Sequence, residues 1–392
     1  MSALPITAPG AQPPLDSIPP GIGYARDYED LARRFMAPAS YEYVAGGSGR
    51  DVTVAANLTA FAHWAIYPRL LRDVSAGHTR VTIGAESFAH PVLLAPVAFH
   101  NLAHADGELA TARAAHATES CLVGSTLSSC TLEDVARVAG PQRWFQLYFQ
   151  PRRDDTRALL ARAAAAGYGA IVVTLDAPIQ AASARALRAG FRLPNACVGA
   201  NLRAQAAPPQ VVLDADQSRI FQGVMGDAPS WLDLAWLLTQ TSLPVWVKGV
   251  LHPDDACALQ QLGVAGIVVS NHGGRSLDGA PATLDALVPI RAALGAGFPV
   301  LLDSGIRCGA DVFKALALGA DAVLVGRLQL YALSVAGALG VAHMIKLLRE
   351  ELEICMALAG CASVADITPA ALVRTGAGAL MCSATCSATH HE

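Results

Sequence analysis

A histidine and an arginine close together on a glycine-rich turn give the clearest chemical signal in the sequence. The motif is Ser270-Asn271-His272-Gly273-Gly274-Arg275, and it follows an apolar run. The spacing places a proton acceptor beside a planar donor fork suited to a carboxylate. An isolated histidine is more often structural, but two adjacent glycines favour close approach of a ligand. The motif predicts proton abstraction from a carboxylate-bearing substrate.

Two further turns combine glycine with arginine, namely Asp303-Ser304-Gly305-Ile306-Arg307 and Gly326-Arg327. Glycines let backbone amides approach a phosphate, and an arginine fork suits a dianion. Either turn alone would equally well be a surface corner. Both follow the last two candidate strands, where barrel enzymes commonly bind phosphate, so together they predict a phosphate site.

Lys248 ends the apolar run VWVKG. A lone lysine at a strand end is more often a solvated surface group. Because neighbouring runs also end in polar residues, we predict instead that Lys248 serves a cofactor by stabilising negative charge on a reduced ring.

Eight short apolar runs that alternate with Ala/Leu-rich helical segments position these residues. This alternation is typical of repeated βα units and a parallel sheet. Nearly every run ends in a polar residue, as strands do at the catalytic face of a barrel. The sequence therefore predicts an α/β protein of the (β/α)8 TIM-barrel class, with strands at residues 92–96, 121–124, 144–147, 170–175, 245–248, 266–270, 300–303 and 322–326.

The remaining segments are interpreted around this barrel. We expect a flexible Pro-rich arm at residues 1–23, and a barrel domain at 24–365 with a helical lead-in over residues 28–46. The turn Gly46-Gly47-Ser48-Gly49 is interpreted as the end of the lead-in. The connection after the fourth strand has about 70 residues, too many for an ordinary βα loop, so we predict a lid at about 180–235. A helix is expected at 341–358, and the low-complexity tail at 366–392 is expected to be partly disordered.

Composition excludes several classes of protein. Hydrophobic residues make up 53% of the 392 residues and charged residues 15%, which excludes a disordered chain. The net charge is −4, and no run of lysines or arginines offers a positive surface for phosphates, so nucleic acid is not an expected partner. The sequence contains no uninterrupted apolar stretch of about 18 residues, so no membrane span is predicted. Nine scattered cysteines favour reduced thiols and a cytoplasmic location. Cys382 and Cys386 are spaced like half a metal site, but only His390 and His391 lie near, so we expect no metal.

An ordered set of motifs across residues 41–360 resembles the FMN-dependent 2-hydroxy acid oxidase and dehydrogenase family, which includes glycolate oxidase, lactate oxidase and mandelate dehydrogenase. The motifs are YEYVAGGSG, PRLLRDVS, WFQLY, VTLDAP, VKGV, SNHGGRSLDGAPATLDAL, DSGIRCGADVFKALALGADAVLVGR and LLREELEICMALAGC. The segments AGGSG, APVAF and CTLEDVA are most similar to the 4-hydroxymandelate oxidase branch.

The resemblance implies a role for each matching residue. His272 is the implied base, Asp176 the carboxylate that stabilises its imidazolium, and Arg275 the ligand of the substrate carboxylate. Tyr43 and Tyr148 are implied to bind and orient substrate. The implied chemistry is removal of the alcohol proton with hydride transfer to flavin N5, with a carbanion route as the alternative. The implied FMN-binding residues are Pro96, Val97, Ala98, Ser125, Gln146, Thr174, Lys248, Ser270, Asp303, Gly305, Arg307, Gly326 and Arg327.

The sequence departs from the family pattern at two positions. Ser183 stands where the family carries a second substrate-binding arginine. Arg185 or Arg188 would replace that arginine if its side chain reached back to the site. Ser304 replaces a glycine of the phosphate turn, which is acceptable if its φ stays negative.

Three functions follow from these observations. The first is oxidation of an (S)-2-hydroxy acid with an aryl or bulky side chain, such as mandelate or 4-hydroxymandelate, with electrons passing to O2 or another acceptor. The second, which Ser183 suggests, is a biosynthetic flavoenzyme acting on a larger substrate or one whose carboxylate is masked as an ester, amide or thioester. The third is a non-catalytic flavin-binding protein, which the retained His272 argues against. The resemblance also implies a homotetramer.

Overall fold

Eight parallel strands close into a barrel in the computed structural model, which describes residues 11–195, 197–205 and 212–375. The strands follow one another around the barrel in chain order, and the last pairs with the first. This is a (β/α)8 TIM barrel, as the sequence predicted. Its strands are β4 (Val92–Leu94), β5 (Leu122–Ser125), β6 (Arg143–Leu147), β7 (Ile171–Thr174), β8 (Val245–Val250), β9 (Gly266–Val269), β10 (Val300–Leu302) and β11 (Ala322–Val325).

The barrel strands are buried on both faces, which is why they read as continuous apolar runs. Successive residues of a strand still alternate between the inside of the barrel and the layer between strands and helices. Leu93 belongs to the cluster inside the barrel, whereas Val92 and Leu94 belong to the cluster between strands and helices. Trp144 and Trp246 stack inside the barrel with ring centroids 5.0 Å apart. This packing fixes which residues of each strand face the helices.

Helices surround the barrel and precede it. The lead-in comprises α1 (Asp27–Leu31), α2 (Pro38–Ala45) and α3 (Val52–Ala62), of which the sequence analysis predicted the first two and missed the third. The others are α4 (Gly107–Ala117), α5 (Leu132–Val138), α6 (Arg153–Ala165), α7 (Ala184–Arg188), α8 (Trp231–Leu238), α9 (Pro253–Leu262), α10 (Thr283–Leu294), α11 (Gly309–Ala317) and α12 (Arg327–Ala359).

Two small antiparallel sheets flank the barrel. A hairpin joins β2 (Val81–Ile83) to β3 (Glu86–Phe88), and β1 (Trp64–Ile66) pairs with β12 (Leu372–Arg374). The expected tail at 366–392 therefore includes a strand, β12, that pairs with the folded body. The arm also makes contacts, because Leu15 N donates to the Val335 carbonyl at 2.7 Å. Residues 1–10 and 376–392, with the predicted Cys382, Cys386, His390 and His391, lie outside the described residues.

The long helix α12 is interrupted. Ala336 and Gly337 have non-helical backbone angles, so two helices meet there, the second containing the predicted helix at 341–358. An 18-residue window of α12 has a mean hydropathy of 1.5, enough by length and composition to cross a membrane. Since 78% of that window is buried within the protein, α12 is a core helix that packs on α4 and α11.

The connection from β7 to β8 carries the predicted lid. In addition to α7 and the start of α8, it contains the 3₁₀ helices Ala200–Leu202 and Met225–Asp227 and the π-helix Arg219–Val224. Its base is anchored to the lead-in, because Gly49 N donates to the Ala182 carbonyl and Ala184 N donates to the Gly49 carbonyl, both at 3.0 Å. The lid thus starts beside the Gly-rich turn that follows α2.

Candidate active site

A cavity of about 270 Å³ opens at the carboxyl ends of the barrel strands. Strand-following segments, α2 and the base of the lid surround it. Most residues that the sequence analysis selected line it: Tyr43, Pro96, Val97, Ala98, Ser125, Gln146, Tyr148, Thr174, Lys248, His272, Arg275, Asp303, Gly305, Arg307, Gly326 and Arg327. Two predicted residues, Asp176 and Ser270, do not line the cavity but bond to residues that do.

His272 and Asp176 form a buried pair. His272 Nδ1 lies 2.8 Å from Asp176 Oδ1, so in the neutral ring Nδ1 carries the hydrogen and Nε2 keeps its lone pair. Burial alone would raise the pKa of the Asp176 carboxyl, but the charges of Lys248 and His272 outweigh it and lower that pKa. The carboxylate is therefore ionised beside the ring and holds its Nδ1–H side, which leaves Nε2 free to face the cavity.

The backbone at His272 is in the left-handed region, with φ of 59°. Such a conformation costs a non-glycine residue about 1 to 2 kcal/mol and is held by its surroundings. Ser270 Oγ accepts from the His272 N–H at 3.1 Å. Gly249 makes room for the partner carboxylate, because a Cβ there would lie 2.4 Å from the Asp176 Cβ.

Lys248 is buried between polar groups. Its ammonium donates to Ser270 Oγ at 2.9 Å and lies 3.2 Å from Asp303 Oδ2. Burial would lower the pKa of Lys248, but the carboxylates of Asp303 and Asp176 outweigh it and raise the pKa. Lys248 is thus a fixed positive charge in the cavity wall, and the alternative of a solvated surface lysine is excluded.

The predicted phosphate site contains a half-buried arginine with no acidic partner among the described residues. Arg327 donates to the carbonyls of Val44 and Gly46 at 2.9 and 2.8 Å. Burial lowers the pKa of Arg327 to about 10. Arg307, by contrast, is paired with Glu29 at 2.9 Å. A dianion beside Arg327 would supply the missing countercharge.

Ser304 corrects one expectation. Its φ is +76°, not negative, so this serine occupies the left-handed conformation that a glycine would adopt freely. Hydrogen bonds hold it there: Ser304 Oγ donates to Asp303 Oδ1 at 2.8 Å and accepts from the Gly273 N–H at 2.9 Å. The serine therefore ties the phosphate turn to the turn that carries His272.

An aromatic stack forms the side of the cavity that contains the predicted substrate residues Tyr43 and Arg275. The Tyr43 ring stacks on Phe191 with centroids 4.1 Å apart, and the Arg275 guanidinium lies 4.5 Å from the same ring. A stack this close leaves the other face of Tyr43 for Arg275. Arg275 Nη1 donates to the carbonyls of Tyr43 and Gly46 at 2.7 and 3.1 Å. Burial raises the pKa of Tyr148 to about 12, so its hydroxyl stays protonated.

Unpaired polar atoms in the cavity fit the FMN that the resemblance implies. Gln146 Nε2 and Thr174 Oγ1 are buried and have no hydrogen-bond partner within the described chain. Buried donors and acceptors are normally satisfied, so both atoms indicate a polar ligand. They lie on β6 and β7, next to Lys248 on β8, where a flavin ring edge would bond to them. The uncompensated Arg327 suits the phosphate of the same molecule.

Some lining residues were missed by sequence reasoning. They comprise Val44, Ala95, Phe99, Leu127, Gln180, Gly273, Ser304, Ile306, Leu324, Val325 and Leu330. Most are apolar or lie within motifs already identified, so their types alone carried no signal. Phe99 and Leu127 stand one to three residues after predicted FMN-binding positions, which was the signal available for them. Phe191, which supports Tyr43 from the lid, had none.

The arginines proposed to replace the missing one do not reach the cavity. Arg185 forms an ion pair with Glu42 and lies 3.6 Å from Asp51, and neither it nor the exposed Arg188 lines the cavity. Ser183 instead caps α7, accepting from Ala186 N at 3.3 Å. Arg275 is therefore the arginine that the geometry offers to a substrate carboxylate.

Comparisons with known proteins agree with this geometry. The model of the FMN-dependent dehydrogenase family matches residues 32–374. An L-lactate oxidase of Alicycliphilus denitrificans is 64% identical over 91% of this chain and 97% of its own. A peroxisomal (S)-2-hydroxy-acid oxidase of Oryza sativa subsp. japonica is 37% identical over 92% and 98%.

Solved structures give the same result. A mandelate oxidase variant with 2-hydroxy-phenylacetamide matches with a TM-score of 0.79 and 41% identity, over 87% of this chain and 96% of the other. Mandelate oxidase with benzoyl-formic acid matches with a TM-score of 0.79 and 40% identity, over 88% and 96%. The chain therefore belongs to the FMN-dependent dehydrogenase family and is an oxidoreductase with FMN as its cofactor.

Proposed function

We propose that this protein oxidises a free (S)-2-hydroxy acid to the 2-oxo acid and that O2 takes up the electrons. The observation that carries the proposal is the pairing of His272 with Asp176 beside Arg275, in a cavity whose unpaired polar atoms fit FMN. Relatives named L-lactate oxidase and (S)-2-hydroxy-acid oxidase support it. The reaction removes two electrons and two protons from the substrate, and peroxide is the product formed from O2.

The residues divide the work as follows. Arg275 binds the substrate carboxylate, and its contact with Tyr43 fixes the guanidinium. His272 Nε2 takes the hydroxyl proton, and the Asp176 carboxylate stabilises the resulting imidazolium. FMN held at Gln146, Thr174 and Lys248 would supply the acceptor for the two electrons that leave the substrate. Lys248 supplies a fixed positive charge in the cavity wall. The same arrangement would serve hydride transfer or a carbanion route.

The substrate side chain has two candidates. The sequence analysis predicted an aryl or bulky group, and the mandelate oxidase structures at 40–41% identity support it. The L-lactate oxidase at 64% identity supports a methyl group instead. Since that relative is much more similar, we favour a short side chain. The two candidates are distinguished by the values of kcat/KM for L-lactate and (S)-mandelate, measured from the rate of peroxide formation. Activity with neither acid would overturn the proposal.

A second candidate function is supported by Ser183, because neither Arg185 nor Arg188 lines the cavity in place of the missing arginine. One arginine could suffice for a substrate whose carboxylate is masked. Residue 183 lies close to Gly46, because a Cβ at Gly46 would be 2.9 Å from Ser183 Oγ. Arg275 donates to the Gly46 carbonyl, so an arginine at residue 183 would begin near Arg275.

The second candidate is tested with mandelate, its methyl ester and its amide on the wild type and on Ser183→Arg. If the wild type prefers the ester or amide, and Ser183→Arg raises turnover of free mandelate by about tenfold or more, the masked-substrate function holds. A wild type that prefers the free acid rules it out.

A further inference from the structure

A second large cavity lies at the amino ends of the barrel strands, away from the FMN site. It has a volume of about 1000 Å³, and we call it the basal cavity. The β2–β3 hairpin, the C-terminal end of α4, the segment before β6 and α12 enclose it. These segments precede β4, β5 and β6, whereas the residues of the candidate active site follow their strands. The two cavities therefore open at opposite ends of the barrel.

The wall of the basal cavity is basic. It contains Arg80, Arg349, His78 and His116, and its single acidic residue is the exposed Glu119. Among the residues that the structure describes, neither arginine forms an ion pair or a side-chain hydrogen bond. Other arginines, including Arg291 and Arg307, form ion pairs with acidic residues. The candidate active site holds a comparable pair, Arg275 and Arg327, and neither forms an ion pair within the described residues.

Two polar atoms in this wall are buried without a partner in the described chain, namely Arg349 Nε and His78 Nδ1. A buried guanidinium nitrogen that bonds to nothing is costly, and a ligand oxygen would satisfy it. The positive charge of Arg349 also affects a neighbouring histidine. Burial, followed by that charge, lowers the pKa of the neighbouring His90 to about 4.

We propose that the basal cavity binds a multivalent anion, a phosphorylated or polycarboxylate metabolite, through Arg349 and Arg80. Arginine forks bind the oxygens of phosphate and carboxylate groups in pairs, and the imidazoles of His78 and His116 add further hydrogen bonds. The volume exceeds what a single inorganic ion requires and suits a small organic anion. The site is separate from FMN and substrate, so its existence does not depend on the proposed reaction.

Calorimetric titration of the FMN-loaded protein with pyrophosphate and with citrate tests this proposal. Bound FMN fills the phosphate site at Arg327, which keeps that site from capturing the probe. We expect both anions to bind, and Arg349→Met to weaken binding by about 10- to 100-fold, the usual effect of a lost charge-assisted contact. Arg80→Met, at an exposed position that does not threaten folding, is expected to weaken binding as well.

The matched control is Lys346→Met. Lys346 lies on the same helix as Arg349 but is exposed and paired with Glu350 at 3.3 Å. It is expected to bind both anions like the wild type. The proposal is overturned if neither anion binds the holoenzyme, if the two arginine variants bind as the wild type does, or if Lys346→Met weakens binding equally. If pyrophosphate binds and citrate does not, the ligand is a phosphorylated metabolite, and the reverse result indicates a polycarboxylate.

Discussion

Phe191 connects the predicted lid to the residues that we propose bind substrate. It follows α7 and stacks on Tyr43 with centroids 4.1 Å apart and ring planes 11° apart, while Arg275 lies 4.5 Å from the same ring. The three side chains come from the lid, from α2 and from the turn after β9. Phe191 has no polar side-chain atom and does not line the cavity, so it acts as a positioning residue for Tyr43 and, through Tyr43, for Arg275.

Removal of the ring by Phe191→Ala leaves Tyr43 unsupported on one face. Stacked aromatic pairs contribute about 0.5 to 1.5 kcal/mol beyond the area that they bury. If substrate binding loses that amount, KM rises by about 2- to 12-fold. Because His272 and Asp176 are untouched, kcat should change less than KM, the signature of lost binding that is equal in ground and transition states. Phe191→Tyr keeps the ring and should restore KM.

Steady-state kinetics with saturating O2 measure both parameters, and flavin content checks that each variant is folded. Phe221→Ala is the matched control, because Phe221 also belongs to the lid but is 72% exposed. The reasoning is refuted if Phe191→Ala leaves KM unchanged, if kcat falls while KM stays constant, or if Phe221→Ala raises KM to the same extent.

Three further predictions concern the cofactor, the base and the phosphate turn. Arg327→Met should raise the Kd for FMN by about 10- to 100-fold, measured by fluorescence titration of the apoprotein, because a charge-assisted contact to the phosphate is lost. Asp176→Asn should slow flavin reduction by about 10- to 100-fold while FMN content is unchanged, since the imidazolium loses its countercharge; an unchanged rate in stopped flow would contradict this. Ser304→Ala should lower the free energy of unfolding by about 1 to 3 kcal/mol, because the Gly273 N–H loses its partner, measured by urea denaturation. Ser304→Gly should lose less than Ser304→Ala, as it relieves the left-handed backbone, and an equal loss would show that the backbone carries no strain.

The barrel could be predicted because its strands are buried on both faces and end in polar residues. All eight predicted strands are present, with ends shifted by one or two residues. Helix α3 was missed because it directly follows the Gly-rich turn that was interpreted as the end of the lead-in. The part of α12 before the break at Gly337 was not predicted, because Gly326-Arg327 was interpreted only as a phosphate turn.

Residues of the site were predictable where chemistry and position coincided, as for His272, Arg275 and Lys248. Contacts between distant segments were not. The Phe191–Tyr43 stack joins residues far apart in sequence, and no local pattern marks it. The positive φ of Ser304 was also missed, since two side-chain hydrogen bonds from neighbouring turns sustain it. The homotetramer and the cytoplasmic location stay predictions.

The most direct test of the central claim is anaerobic reduction of the FMN-loaded protein by L-lactate and by (S)-mandelate, in the wild type and in His272→Gln. The visible flavin absorbance should bleach in the wild type with at least one acid. Loss of a general base typically slows such a step by about 10² to 10⁴-fold, so the variant should bleach at least about 100-fold more slowly. A wild type that neither acid reduces, or a variant that is reduced at the wild-type rate, would contradict the assignment of His272 as the base for a free 2-hydroxy acid.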